Sequence, residues 1–164
     1  MASKLKNLSD FSHTTIPNAA PFKFGIVVAS WNVQVTGALY KGAYNALLKH
    51  NTSESNIVSI EVAGSYELVA ATDLLLQSQF YDAVICLGCV IQGETKHFDF
   101  ICNAVASGLV NVGLKYTKPV VFGVLTTDNL QQALDRAGGI HGNKGEEAAI
   151  TAIKMAYVAN SLKN

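Results

Sequence analysis

The sequence lacks an excess of charge of either sign. Its 164 residues include twelve Lys and Arg side chains and twelve Asp and Glu side chains, so the formal net charge is zero. A nucleic acid or an anionic membrane would select a long-range positive field, which this composition does not supply. We therefore expect small-molecule partners, and no binding of nucleic acid or membrane.

Cysteine is also scarce, with only Cys86, Cys89 and Cys102. Cys86 and Cys89 have the spacing of a redox or zinc motif, but they fall in an apolar run typical of a strand, which directs positions three apart to opposite faces. We interpret both as buried core residues, and we predict no metal site. The sequence has no secretory apolar segment and no membrane span, and together with the unpaired thiols this favours the cytoplasm.

Proline is rare, and two of the three prolines, Pro17 and Pro21, lie near the start of the chain. Residues 1–21 are polar and show no sustained periodicity, which is typical of a flexible arm. About half of the chain is apolar, which is enough for one substantial core but leaves little room for a second. We predict a flexible N-terminal arm at 1–21 and a single domain at 22–164.

Short β-rich runs alternate with longer segments of helical period from residue 22 onward. The runs are 22–29, 57–62, 83–90 and 120–126, and the helical segments are 35–50, 66–79, 96–114, 129–137 and 146–162. This alternation predicts parallel pairing, and the near-continuous apolar runs predict strands covered on both faces. We expect an α/β three-layer sandwich with a four-stranded parallel sheet. Asp128 and Asn143 are the predicted N-caps of the last two helices.

Polar or aromatic residues follow every predicted strand. The four junctions are Ser30-Trp31-Asn32, Gly64-Ser65-Tyr66-Glu67, the segment from Gln92 to His97, and Thr126-Thr127-Asp128. Ligands of open parallel sheets bind beyond the carboxyl ends of the strands, where these junctions meet. The sequence therefore predicts a ligand site at this edge.

The third junction carries the clearest signal for chemistry. Gly93 allows close approach of the backbone to a ligand, Thr95 offers a hydroxyl, and His97 falls where a helix should begin. The free N–H groups at a helix N-terminus favour a phosphate, and histidine exchanges a proton near neutral pH. This pattern predicts an anion pocket with an acid-base group beside it.

Other residues at the junctions have a plainer explanation beside the functional one. Trp31 either stacks on a flat ligand or plugs the sheet edge. Asn32 either recognises a heterocyclic edge or caps a helix. Glu67 either faces ligand hydroxyls or complements a helix dipole. Away from the junctions, the default explanations are a surface charge for Arg136 and Lys144 and a core position for Phe122.

The motifs together resemble a known family. They are Ser30-Trp31-Asn32, the segment from Gly64 to Leu68, the Gly-Glu-Thr-x-His-Phe core starting at Gly93, the run from Val121 to Thr127, and the segments Ala133 to Gly138 and Gly142 to Ala148. In order and spacing they resemble the 6,7-dimethyl-8-ribityllumazine synthases, from about residue 22 to the end. The resemblance implies a flavodoxin-like fold and a transferase that needs no cofactor. The implied reaction is the penultimate step of riboflavin biosynthesis, in which 5-amino-6-(D-ribitylamino)uracil condenses with 3,4-dihydroxy-2-butanone 4-phosphate to give the lumazine, phosphate and water.

The resemblance also implies residue roles, with His97 as the catalytic proton-transfer residue. The implied pyrimidine and ribityl contacts are Trp31, Asn32, Ser65, Tyr66, Glu67, Val90, Ile91, Phe122 and Lys144, and the implied phosphate contacts are Gly93, Glu94, Thr95 and Arg136. Phe122 and Lys144 match positions that the family supplies from an adjacent subunit. Family members often carry a basic residue at position 92 and a small one at 94, where this chain has Gln92 and Glu94. We expect the backbone N–H of Glu94, and not its carboxylate, to face the phosphate.

The resemblance implies a homopentamer, which in many members closes into an icosahedral 60-mer, and it allows an association with riboflavin synthase. The short 138–142 connection lacks the insertion of members that stay pentameric, which favours the 60-mer. Two alternatives are a non-catalytic flavin- or nucleotide-binding module and a purely structural shell subunit suggested by Ala-rich helices. Thr95 and Arg136 together with a titratable His97 argue against the first. Polar groups at every strand end argue against the second.

Overall fold

Four parallel strands form the central sheet of the computed structural model, which describes residues 9–11 and 13–163. In chain order, the strands are β1 (Phe24–Ala29), β2 (Ile57–Val62), β3 (Ala83–Ile91) and β4 (Val120–Thr127). Across the sheet they lie in the order β2-β1-β3-β4. Residues 83–89 of β3 are all buried, as a central strand with both faces covered requires. The prediction of a four-stranded parallel sheet is confirmed.

Helices cover both faces of the sheet. They are α1 (Val33–Lys49), α2 (Leu68–Ser78), α3 (His97–Tyr116), α4 (Leu130–Asp135) and α5 (Lys144–Ser161), with a 3₁₀ turn at Glu54–Asn56. One apolar cluster joins α1, α4 and α5 to one face of the sheet, and a second joins α2 and α3 to the other. The three-layer sandwich is confirmed. Within the described residues, no helix combines the length and apolar character that crossing a bilayer requires.

The two cysteines of β3 lie on opposite faces of the sheet. Cys86 belongs to the cluster under α2 and α3, and Cys89 belongs to the cluster under α1 and α5. Burial raises the pKa of Cys86 to about 12, despite an opposing hydrogen bond with Thr72, and raises the pKa of Cys89 to about 11. Both thiols are therefore protonated and unreactive at neutral pH, and their interpretation as core residues is confirmed.

The caps of the last two helices differ in outcome. Asn143 caps α5 as predicted, since its Oδ1 accepts from the N–H of Gly145 at 2.8 Å and of Glu146 at 3.3 Å. The prediction for α4 is wrong by one residue, because Asn129 is the cap and its Oδ1 accepts from the N–H of Gln132 at 3.0 Å. Asp128 instead donates its N–H to Gln132 Oε1 at 2.9 Å and still belongs to the loop that precedes α4.

A short hairpin and the arm complete the described chain. Strands β5 (Ala137–Gly139) and β6 (Gly142–Asn143) pair antiparallel between α4 and α5, in residues whose strand character the sequence did not indicate. The arm predicted at 1–21 lies partly outside the described residues. Its described part contacts the domain, because Ala19 is fully buried and donates its N–H to the carbonyl of His50 at 2.9 Å.

Candidate active site

Four loops meet at the carboxyl edge of the sheet, as the parallel topology requires. The loops after β1 and β2 are joined by backbone hydrogen bonds from Ser30 N–H to the Val62 carbonyl and from Trp31 N–H to the Ala63 carbonyl, at 2.8 and 3.1 Å. The loops after β3 and β4 are joined by a bond from Gln92 N–H to the Thr127 carbonyl at 2.8 Å. The edge is therefore a connected backbone surface on which the side chains of the four junctions are arranged.

Trp31 stands on this surface with its ring largely in solvent. Its side chain is 67% exposed, so it does not plug the sheet edge of this chain. The ring lies against Gly64, where a Cβ atom would come within 2.8 Å of Trp31 Cε3. The carboxylate of Glu67 fixes the same turn by accepting the Gly64 N–H at 3.0 Å. The indole therefore contacts the β2 loop at Gly64, and its exposed remainder is available to a flat ligand.

Asn32 ties the Trp31 loop to the centre of the sheet. Its backbone is left-handed, with φ 60°, a conformation in which asparagine is enriched. Its side chain forms no helix cap and instead donates from Nδ2 to the carbonyl of Cys89 at 3.0 Å. The alternative role as a capping side chain is therefore wrong, and the amide oxygen Oδ1 has no hydrogen-bond partner among the described residues.

Ser65 and Tyr66 divide the β2 loop into a buried and an exposed part. Ser65 is only 6% exposed, and its hydroxyl has no hydrogen-bond partner among the described residues. Gly88 of β3 makes room for this hydroxyl, because a Cβ atom there would lie 2.6 Å from Ser65 Oγ. Tyr66 is exposed next to it. Further along β3, Val90 and Ile91 are partly buried and end the strand below the loops.

The loop after β3 runs directly into α3. Gly93, Glu94, Thr95 and His97 are all exposed, and no heavy atom lies within 4 Å of a Cβ built on Gly93. The hydroxyl of Thr95 accepts the N–H of His97, the first residue of α3, at 3.4 Å. The structure thus places Thr95 and His97 next to each other in an exposed loop at the N-terminus of a 20-residue helix. This arrangement favours an anion.

Arg136 lies in a different environment. Its side chain is 11% exposed, and its Nη1 and Nη2 donate to the two carboxylate oxygens of Glu147 at 2.7 and 2.8 Å. Nη1 also donates to the carbonyl of His141 at 2.6 Å. Lys144 Nζ lies 3.5 Å from the same carboxylate. Arg136 is therefore part of a partly buried ionic cluster, and its default explanation as a surface charge that complements a helix dipole is wrong.

Burial acts to raise the pKa of Glu147, but hydrogen bonding and charge from Arg136, with help from Lys144 and Ser9, outweigh it and lower the pKa below its ordinary value. The Ser9 hydroxyl lies 3.2 Å from both Glu147 Oε1 and the Asn143 carbonyl and shares its one hydrogen between them. Sequence reasoning gave Glu147 no role in the site. The available signal was its position three residues after Lys144, a spacing that brings side chains together on a helix.

Phe122 is not a core residue, since its side chain is 37% exposed on the edge strand β4. In the sheet register, Phe122 of β4 is level with Cys86 of β3, and Cys86 is level with Val27 of β1. Trp31 lies four residues further along the chain than Val27. Phe122 and Trp31 are thus about four residues apart along the strands and two strands apart across the sheet, or about 16 Å at ~3.3 Å per residue and ~4.8 Å per strand. Two rings that enclose one heterocycle are about 7 Å apart. Phe122 therefore lies too far from Trp31 of its own chain to share a ligand in that way.

The predicted site residues consequently form two groups. The edge group, which the end of β3 and the loops after β1, β2 and β3 bring together, comprises Trp31, Asn32, Ser65, Tyr66, Glu67, Val90, Ile91, Gly93, Glu94, Thr95 and His97. The flank group comprises Phe122, Arg136 and Lys144. Phe122 and Lys144 line one surface cavity with Ala148 and Met155. Within the described residues, no cluster of three or more His, Cys, Asp or Glu side chains forms a potential metal site.

Comparison with known proteins identifies one family along nearly the whole chain. Residues 21–160 match the family described as 6,7-dimethyl-8-ribityllumazine synthase. A protein of that name from Cytophaga hutchinsonii is 59% identical over 155 residues, which are 94% of this chain and 97% of that protein. Proteins of the same name from Flavobacterium johnsoniae and Parabacteroides distasonis are 52% and 48% identical, over 96% and 94% of this chain and 83% and 97% of their own lengths.

Proposed function

Because the chain belongs to the 6,7-dimethyl-8-ribityllumazine synthase family, we propose that its active site is composite, with the edge group of one subunit completed by the flank group of the next. The chain is a transferase of riboflavin biosynthesis. It condenses 5-amino-6-(D-ribitylamino)uracil with 3,4-dihydroxy-2-butanone 4-phosphate to give 6,7-dimethyl-8-ribityllumazine, phosphate and water. The family membership decides for the enzyme over the binding module and the structural subunit.

In this proposal the edge group binds the pyrimidine. Trp31 stacks on the ring, and the loop of Ser65, Tyr66 and Glu67 holds the ring edge and the ribityl chain together with Asn32. Tyr66 and Glu67 are both exposed at this edge, which supports the role of the loop. Val90 and Ile91 form the apolar floor beneath the ring.

The phosphorylated ketone lies at the start of α3. Backbone N–H groups of Gly93, Glu94 and Thr95 receive its phosphate, since the helix N-terminus offers unpaired donors and a favourable dipole. The exposed position of Glu94 allows its carboxylate to point into solvent. Arg136 of the neighbouring subunit adds a charge-assisted contact.

His97 moves the protons. Imine formation, phosphate loss and ring closure each transfer protons between nitrogen, carbon and oxygen, so one imidazole beside the phosphate serves as acid and base in turn. Holding the two substrates side by side contributes by orientation, which converts a bimolecular encounter into a reaction within one complex.

The neighbouring subunit supplies the second aromatic wall through Phe122, with Lys144 beside it. The observation that carries this proposal is the separation of about 16 Å between Phe122 and Trp31 within one chain, estimated above from the sheet register. In a closed ring every subunit donates its flank group to one neighbour and receives one from the other, so all sites are equivalent.

The exposed face of α3 supports an oligomer. Phe100, Val110 and Leu114 are exposed, and at 100° per residue they fall within about 80° of arc on the helix. An apolar stripe of this kind is typical of a helix that packs against other copies. We propose a homopentamer that assembles into a 60-mer, because the 138–142 connection is a tight hairpin without an insertion. An association with riboflavin synthase belongs to the same proposal.

We further propose a cytoplasmic location for a single domain at 22–164 preceded by the arm at 1–21. The location is supported by Cys86, Cys89 and Cys102, which are all free thiols.

Sedimentation velocity at the assay concentration, paired with turnover measurements on the same sample, tests the composite site. We expect all activity to sediment with a ring or a larger shell, and dilution that releases folded monomers to abolish it. A fully active monomer would contradict both the composite site and the oligomer.

A further inference from the structure

Arg136 has five N–H donors, and the hydrogen bonds of this chain occupy three of them. Both hydrogens of Nη1 are used, one by Glu147 Oε1 and one by the carbonyl of His141, and Nη2 gives one hydrogen to Glu147 Oε2. Nε–H and the second hydrogen of Nη2 remain. In a planar guanidinium these two point the same way along one edge and form a fork that matches two phosphate oxygens.

This remaining edge has no acceptor among the described residues, and the Arg136 side chain is 11% exposed. Within the described part of the chain, the only buried side-chain nitrogen or oxygen atoms without a partner are the hydroxyl oxygens of Thr52 and Ser65. Arg136 Nε is not one of these two atoms, although it has no acceptor among the described residues. The guanidinium is thus clamped on one edge and without a partner on the adjacent one.

From this geometry we infer that Glu147 is a positioning residue, which holds Arg136 through one edge of the guanidinium so that the Nε edge faces the phosphate of the ketone substrate. The inference rests on the proposed role of Arg136 in phosphate binding. The lowered pKa of Glu147 means that the carboxylate is charged at neutral pH, as a two-bond pair with a guanidinium requires.

Ser9 extends this support into the arm. Its hydroxyl accepts the N–H of Asn143 at 2.7 Å, and its one hydrogen is shared between Glu147 Oε1 and the carbonyl of Asn143, each at 3.2 Å. Ser9 therefore links the cap of α5 to the carboxylate that holds Arg136. The described start of the arm takes part in positioning a group of the phosphate site.

A competing account predicts the opposite result. If Glu147 only neutralised Arg136 and competed with phosphate for it, removing the carboxylate would release a full positive charge and tighten phosphate binding. If Glu147 orients Arg136, removing it leaves the guanidinium free to rotate, and phosphate binding weakens. Whether phosphate binds more tightly or more weakly after the Glu147 carboxylate is removed thus separates the two accounts.

Glu147→Gln is the test variant and Glu146→Gln is its matched control, since both remove one negative charge from the first turn of α5 but only Glu147 is bonded to Arg136. We expect Glu147→Gln to raise the KM for the phosphorylated ketone about tenfold, with kcat changed less than about threefold and pyrimidine affinity unchanged. Inorganic phosphate, used as a competitive inhibitor, should weaken by the same factor. A lowered KM, or a KM equal to that of Glu146→Gln, would overturn the inference.

Glu147→Asp keeps the charge and covers the case in which Glu147→Gln folds poorly. The shorter side chain cannot make both bonds to Arg136 in place, so we expect a raised KM for the phosphorylated ketone here too, whereas the competing account predicts no change.

Ser9→Ala should raise the KM for the phosphorylated ketone about twofold, and Ser9→Thr should restore it. Thr14→Ala, at an exposed position of the arm, is the control and should have no effect. A Ser9→Ala enzyme with the KM of the unmodified chain would remove the arm from the inference.

Arg136→Gln separates a failure of this inference from a failure of the proposed site. If Arg136→Gln leaves phosphate inhibition unchanged, Arg136 does not bind phosphate, and the phosphate assignment and this inference fail together. If Arg136→Gln weakens phosphate inhibition while Glu147→Gln and Glu147→Asp do not, the phosphate assignment stands and only the positioning role is wrong.

Discussion

Mixing two inactive variants tests the composite site quantitatively. Trp31→Asp removes the stacking ring of the edge group, and because Trp31 is largely exposed this change should not disturb the fold. Arg136→Gln removes the guanidinium of the flank group but leaves an amide that can donate to Glu147. Each variant alone should form rings with very little activity.

The expected recovery follows from the division of the site between subunits. A site in a mixed ring is intact when its edge group comes from an Arg136→Gln chain and its flank group comes from a Trp31→Asp chain. At equal mixing each condition holds for half of the positions, so about one quarter of the sites should be intact, whatever the size of the ring. If a single chain supplied both groups, every site would carry one lesion and no activity would return.

The assay is refolding of the two variants together from denaturant, followed by steady-state formation of the lumazine, detected by its absorbance. Native mass spectrometry of the refolded rings checks that the chains have mixed at random. Each variant refolded alone provides the baseline, and unmodified chain refolded in parallel defines full recovery. Mixed rings that stay at the baseline would refute the division of the site.

Three further predictions concern single groups. His97→Ala should lower kcat about ten- to a thousandfold with modest loss of pyrimidine affinity, which steady-state kinetics and pyrimidine titration check, and unchanged kcat would remove His97 from the mechanism. Cys86 and Cys89 should resist alkylation at mildly alkaline pH until the protein unfolds, because burial raises the pKa of the former to about 12 and the latter to about 11; mass spectrometry of labelled peptides measures this. The pKa of Glu147 is lower in the folded protein than in the unfolded chain, so its ionised carboxylate stabilises the fold. This stabilisation is complete above the unfolded-state pKa and is lost as the pH falls through the folded-state pKa. Urea unfolding across the acid range should therefore show a weaker pH dependence for Glu147→Gln than for the unmodified chain, and equal slopes would contradict the shift.

The fold could be predicted closely because local pattern and topology agree. Strands with both faces covered leave near-continuous apolar runs, and the sequence locates the beginning and end of each strand within two residues. The predicted fourth helix ends at Asp135 and not at Ala137, because residues 137–139 pair with 142–143. Strands of two or three residues are too short to show alternation, so the hairpin left no periodic signal.

The edge group could be predicted because its members follow strand ends, which parallel topology brings to one edge. The flank group could not be placed in the same way. Arg136 lies after a helix and Phe122 within a strand, so no rule about loops locates them. The pairing of Arg136 with Glu147 depends on how α4, the hairpin and α5 pack, and the sequence indicates only that Lys144 and Glu147 share a helix face.

The exposed indole at the edge of the sheet has a practical consequence. Trp31 is the only tryptophan of the chain, so tryptophan fluorescence reports on one place in each subunit without any label. Its ring lies in solvent against Gly64, and a heterocycle that stacks on the open face would change both its polarity and its electronic environment. If the pyrimidine stacks on Trp31 as proposed, quenching during a titration counts occupied sites independently of turnover, and the protein carries its own optical probe of binding.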